Sequence, residues 1–137
     1  YVDMVCIYCN QATKVNNSRL QKNNNRVWRR RQCLVCEAIF STHEAVDLGQ
    51  ALLVKRSSSV EPFSRDNLFL SVYDSLRHRK TAIADADSLT QTIINTILAN
   101  SSSPTIDLPE IKLSVLRVLR NFDQAAATSY EAFHGSS

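Results

Sequence analysis

Two cysteine pairs, Cys6-x-x-Cys9 and Cys33-x-x-Cys36, constrain this chain more than any other feature. In each pair a tight turn lets two thiolates bind one ion at about 2.3 Å, and two such knuckles complete a tetrahedron. The insert between them is 23 residues, slightly longer than the roughly 15 to 20 of the usual pair-of-pairs spacing. The pattern predicts a structural zinc ribbon held by Cys6, Cys9, Cys33 and Cys36.

Other uses of four cysteines fit less well. Two disulfides would suit an exported protein, but the first residues lack a charged stretch followed by an apolar one, so an intracellular, cytoplasmic location is expected. A redox C-x-x-C usually follows a strand in a βαβ unit, and the region before Cys6 is too short for one. A catalytic zinc needs an open position, whereas four thiolates fill the shell. No Gly-rich phosphate loop, no Ser/His/Asp ordering and no paired acids stand out, and His43, His78 and His134 are scattered. The sequence therefore predicts no enzyme.

A metal-stapled ribbon folds with few residues because the ion replaces a core, so 137 residues accommodate two modules, at 1–46 and 47–137. With 44% hydrophobic residues and only two glycines, the chain suits an ordered, helix-rich α+β fold. No apolar run approaches the roughly 20 residues of a membrane span. The formal charge of +3 is unevenly divided: residues 1–46 carry +4 and residues 47–137 carry −1. The ribbon is the half suited to an anion.

Within the ribbon, Arg26-Val27-Trp28-Arg29 and Ala38-Ile39-Phe40-Ser41 have strand composition, and Asn23-Asn24-Asn25 marks a turn. Alternation along the first strand places Trp28 and Arg30 on one face and Val27, Arg29 and Arg31 on the other, with Val27 expected to pack inward. Arginine forks match phosphates and guanine edges, so Arg26, Arg29, Arg30 and Arg31 suit a DNA groove, while a lone Trp28 more often packs.

The second module opens with a strand near Ala51-Leu52-Leu53-Val54-Lys55-Arg56, a turn at Ser57-Ser58-Ser59, and Val60-Glu61-Pro62-Phe63. Four helices follow. Ser64 caps the first, which carries Leu68, Phe69, Val72, Tyr73 and Leu76; the second, from about Asp85 to Ala99, carries Leu89, Ile93, Ile94, Ile97 and Leu98. Asp107 and Pro109 open the third, which buries Ile111, Val115, Leu116, Val118 and Leu119. Asp123 caps the last, with Tyr130 and Phe133 on one side.

The order of four-cysteine ribbon, Arg29-Arg30-Arg31-Gln32-Cys33-Leu34-Val35-Cys36, Phe40-Ser41-Thr42, Val54-Lys55-Arg56 and Glu61-Pro62-Phe63 resembles the NrdR family, bacterial repressors of ribonucleotide reductase genes. That resemblance covers the chain from Cys6 to about Phe133. It implies a DNA-binding ribbon, with Arg19 joining Arg26, Arg29, Arg30 and Arg31 at double-stranded operator DNA, and a nucleoid-associated protein. It also implies an ATP-cone that binds ATP or dATP and sets the state of a homo-oligomer. Lys55, Arg56 and Glu61 match nucleotide-contact positions, with Leu53 and Val54 lining the adenosine.

The chain departs from the family pattern in places. The turn glycine is replaced within Ser57-Ser58-Ser59, and the lysine opening the first helix is Asn67. Trp28 interrupts the arginine run, Asn16-Asn17-Ser18-Arg19 replaces an Asp-Ser-Arg segment, and Ala127 stands where the family has a tyrosine. An alternative reading makes the ribbon a protein-interaction module, with the cone used for assembly.

Overall fold

The computed structural model describes residues 3–134; the outermost positions of both predicted modules lie outside them. The chain divides between Val46 and Asp47 into two compact units.

The first unit is an antiparallel sheet of β1 (Thr13–Gln21), β2 (Arg26–Cys33) and β3 (Ile39–Glu44), in that order. Asn25, with φ 47°, makes the β1–β2 turn, where an asparagine tolerates the left-handed region. The knuckles are built alike. Asn10 (φ 63°) and Glu37 (φ 64°) follow the second cysteine of each pair and reverse the chain. Cys6 N–H then bonds Gln11 O at 2.8 Å, and Cys33 N–H bonds Ala38 O at 2.9 Å.

The second unit runs α1 (Leu48–Ala51), β4 (Leu53–Lys55), β5 (Val60–Pro62), α2 (Arg65–Ser75), α3 (Ala82–Asn100), β6 (Thr105–Asp107), α4 (Leu108–Phe122) and α5 (Gln124–His134). Its sheet has the order β5-β4-β6, with β5 antiparallel and β6 parallel to the central β4. Val54 and Ile106, directly paired, are the buried residues of their strands. They join Leu68, Val72, Leu76, Ile93, Ile94, Val115, Leu119 and Tyr130 in one core.

Local signals predicted the caps of two helices. Ser64 Oγ accepts from Asn67 N–H at 3.2 Å, and Asp123 Oδ1 accepts from Ala125 N–H at 2.9 Å and Ala126 N–H at 3.2 Å. Asp107 precedes α4 but makes no side-chain cap bond. The expected start of α3 at Asp85 is corrected to Ala82, and α1, β1 and β6 are additional elements. Leu98 and Phe133, expected to pack, are 43% and 82% exposed: Leu98 lies beside the buried stripe of α3, and Phe133 lies in the last turn of α5, past Tyr130, the last buried residue of that helix.

Among the described residues, no helix is long and apolar enough to cross a membrane.

Candidate metal centre and anion-facing surfaces

The knuckle turns converge four thiols. The Sγ atoms of Cys6, Cys9, Cys33 and Cys36 all lie within 4.8 Å of one another, with Cys6–Cys36 at 3.7 Å and Cys9–Cys33 at 3.4 Å. A tetrahedral zinc with bonds of about 2.3 Å requires sulfur–sulfur edges near 3.8 Å, whereas a disulfide would bring two sulfurs to about 2.0 Å. All four cysteines are free. Tyr8 N–H points at Cys6 Sγ, and Val35 and Cys36 N–H at Cys33 Sγ, at 3.3 to 3.4 Å. These donors stabilise thiolates.

Titration divides the four. N–H bonding from Cys9 leads in lowering the Cys6 thiol. Burial opposes the Cys33 thiolate, but the Cys36 and Val35 amides and the neighbouring thiols outweigh it and bring it to about 6. The Ala38 amide favours a Cys36 thiolate, yet burial and the other three sulfurs push it up to about 12. For Cys9, help from the Gln11 amide is overcome chiefly by Cys33, and its thiol is raised. Thiolates this close repel, and a dication removes the conflict. The donor set therefore fits zinc, held by Cys6, Cys9, Cys33 and Cys36 with no open position.

Strand register sorts the arginines. Arg30 pairs with Asn17 and Ser41, Trp28 with Arg19 and His43, and Arg26 with Gln21. Directly opposed residues share a face, so one face carries Lys14, Arg19, Arg26 and Arg30 around Trp28, with no acid among the paired positions. None of these four cations is ion-paired among the described residues. The opposite face holds Val27, Arg29 and Arg31. Arg29 donates to Ser18 Oγ at 2.9 Å.

Arg31 differs from the rest of the run. It is 8% exposed and donates to Asp3 Oδ1 at 2.6 Å and Thr42 Oγ1 at 3.1 Å. Asp3 is held below the usual carboxylate range by the Met4 amide first and by Arg31 second. Val27, expected inside, is only half-buried, and Arg31 takes the inward place. The sequence reading passed over Lys14 because β1 is too polar to announce itself as a strand.

In the second unit, a cavity of about 860 Å³ opens between the β4–β5 hairpin, the start of α2, the start of α4 and the end of α5. Val54, Lys55, Arg56 and Glu61 line it; Leu53 does not. Leu53, expected beside a ligand, opens β4 ahead of these residues and is 40% exposed. Arg56 and Glu61 form an ion pair across the hairpin. Asn67, Ser71, Lys112, Tyr130 and His134 complete the wall, and the last two rings stack at 4.6 Å. Lys112, Tyr130 and His134 arrive by tertiary packing of distant helices, so no local pattern points to them.

The model of the NrdR-like transcriptional repressor N-terminal domain matches residues 4–44. The transcriptional repressor NrdR of Bartonella henselae is 34% identical over 98% of this chain and 86% of its own length. That of Leifsonia xyli is 35% identical over 95% of this chain and 83% of its own, and that of Sinorhizobium medicae 31% identical over 96% and 83%. These relatives are named as regulators of transcription rather than enzymes. With its zinc-type ribbon and similarity along nearly its whole described length, this chain belongs to the NrdR family of transcriptional repressors.

Proposed function

We propose that the chain represses ribonucleotide reductase genes by binding their operator DNA through the ribbon, in the bacterial cytoplasm on the nucleoid. In this reading residues 47–137 act as an ATP-cone, and ATP or dATP in its cavity sets the homo-oligomeric state that DNA meets. The observation that carries the DNA half is the acid-free sheet face. Arg19, Arg26 and Arg30 with Lys14 offer a phosphate backbone several unpaired cations, and Arg29 adds one on the reverse side. Arg31 would act through the fold, bracing β2 against Asp3 and Thr42.

The nucleotide half is supported by the cavity, where Lys55 and Arg56 would meet phosphates, Val54 the apolar part of the ligand, and Glu61 its polar groups. A nucleotide shifts assemblies only if it binds one better, and coupling of about 1 to 3 kcal/mol would change DNA affinity roughly 5- to 150-fold. DNA-binding anisotropy, calorimetry and light scattering with ATP and with dATP test both halves. Absence of DNA binding at low salt would end the first. Absence of nucleotide binding at millimolar concentration, or a Lys55→Ala variant that binds as well as the parent, would end the second.

A second reading has its own observation. Ile7, Tyr8, Leu34 and Val35 at the knuckle tips are 64%, 70%, 59% and 67% exposed, an apolar edge suited to a protein partner. The cavity lining also balances Lys55, Arg56 and Lys112 against Glu61, Asp107 and Glu110, which weakens its pull on a triphosphate. A ribbon that binds no DNA, beside a second unit that assembles without nucleotide, would favour a protein-interaction module.

A further inference from the structure

Trp28 is the chain's single tryptophan and is the third residue of the central ribbon strand. A tryptophan placed for packing has apolar neighbours. On its face of the sheet Trp28 has Arg19 directly across on β1, His43 directly across on β3, and Arg26 and Arg30 two residues away along β2. All four are polar or charged. The apolar Val15, Val27 and Phe40 belong to the other face, by the same register. Among the described residues, no aromatic ring stacks on the indole and no cation is seated over it.

A half-buried indole flanked by guanidinium groups on an acid-free sheet face has the composition of a base-stacking platform. Cations track a phosphate backbone, while an aromatic face takes a base of any sequence. In an intact duplex the base faces are already stacked and closed to a side chain. The indole can reach one only where the strand is single or a step is opened.

We propose that Trp28 stacks on an unpaired base, so that this face of the ribbon binds single-stranded or locally opened DNA in addition to paired duplex. The inference rests on the reading of the ribbon as a DNA-binding unit. It adds the form of DNA and the residue that selects it. The arginines supply affinity common to both forms, and the indole supplies the difference between them.

Because the chain has one tryptophan, its emission reports the contact directly. Zinc-loaded full-length protein is titrated with an oligothymidylate of about 16 nucleotides, in the range of a single-strand site, and with a duplex of equal length. Binding is followed by the anisotropy of labelled DNA and contact by Trp28 fluorescence. The expected result is quenching that saturates in step with anisotropy on the single strand. In Trp28→Leu, single-strand affinity should fall about 5- to 150-fold, as loss of one stacked base implies, with duplex affinity changed much less. Trp28→Phe, which keeps a stacking ring, should recover most of the loss, and all three proteins should hold equal zinc.

The proposal is overturned if anisotropy reports single-strand binding while the emission stays unchanged, or if Trp28→Leu binds the single strand as the parent does. Equal losses on both DNAs, shared by Trp28→Phe, would also overturn it, since the indole would then act through the fold. Duplex binding without single-strand binding defeats this inference and leaves the repressor reading standing, whereas binding to neither DNA defeats both.

Discussion

Asp123 joins two parts of the helical unit through one carboxylate, and its removal should be felt in both. Oδ1 caps α5 by accepting from the Ala125 and Ala126 amides, while Oδ2 accepts from Arg79 at 3.1 Å and contacts His78 Nε2 at 2.9 Å. Loss of an N-cap costs about 1 kcal/mol. The bonds to Arg79 and His78 contribute roughly another 1 kcal/mol, kept low because both side chains are over a third exposed and screened by water. Asp123→Ala should therefore destabilise the unit by about 2 kcal/mol, or about 8 to 16 °C for a domain of this size. Asparagine caps as well as aspartate, so Asp123→Asn should recover about half. Far-UV circular dichroism isolates the unit, since all five helices lie in it. The two proteins should also differ in acid. His78 first, then the Ala126 amide and Arg79, hold the Asp123 carboxyl down to about 2 against the cost of burial. A lowered carboxyl contributes stability that is complete above the unfolded value, about 4, and is lost as pH falls toward the folded one. The gap between parent and Asp123→Asn should close over that window. An alanine variant melting within a degree or two of the parent, or an asparagine variant as weak as alanine, would refute this account.

Stripping zinc with a chelator should unfold the ribbon and leave the helical dichroism, since structural zinc contributes about 10 to 16 kcal/mol to folding in small peptides; a ribbon that stays folded with no metal found by elemental analysis would contradict the site. Arg30→Ala should flatten the slope of log affinity for DNA against log salt by about 0.9. Arg31→Ala should instead lower the ribbon's thermal midpoint and its zinc retention, because Asp3 and Thr42 lose their shared donor; the reverse pattern would show that the two side chains had been assigned to the wrong faces. Thr90 is fully buried in α3 with an unpaired hydroxyl, so Thr90→Val should be neutral or stabilising by up to about 1 kcal/mol; a clear drop in midpoint would mean that the hydroxyl has a partner.

How much of this was legible depended on how local the cause was. A knuckle is four residues, and its ligand spacing is written in the chain; the caps at Ser64 and Asp123 act within three residues and were equally plain. β1 was missed because Thr13–Gln21 is exposed almost throughout, so no apolar alternation marks it. Its strand character comes from pairing with β2, and with it come Arg19 opposite Trp28 and the bulge between Val15 and Asn17. β6 was missed for a related reason. It is three residues long and pairs in parallel with β4 across some fifty positions, and only Ile106 gains a buried place from doing so. That pairing nonetheless determines the cavity. It sets Asp107 beside Lys55 and starts α4 against the β4–β5 hairpin, bringing Glu110 and Lys112 to a wall that the hairpin motif alone would leave open. The motif around Lys55 and Glu61 could therefore suggest a ligand site, but the charges facing that ligand depend on a contact between segments that share no local pattern. Arg56 already holds Glu61, so an entering phosphate must compete with a carboxylate for the same guanidinium. In the reading proposed above that competition costs little, because both side chains are about half exposed and an exposed ion pair contributes only about 0 to 1 kcal/mol.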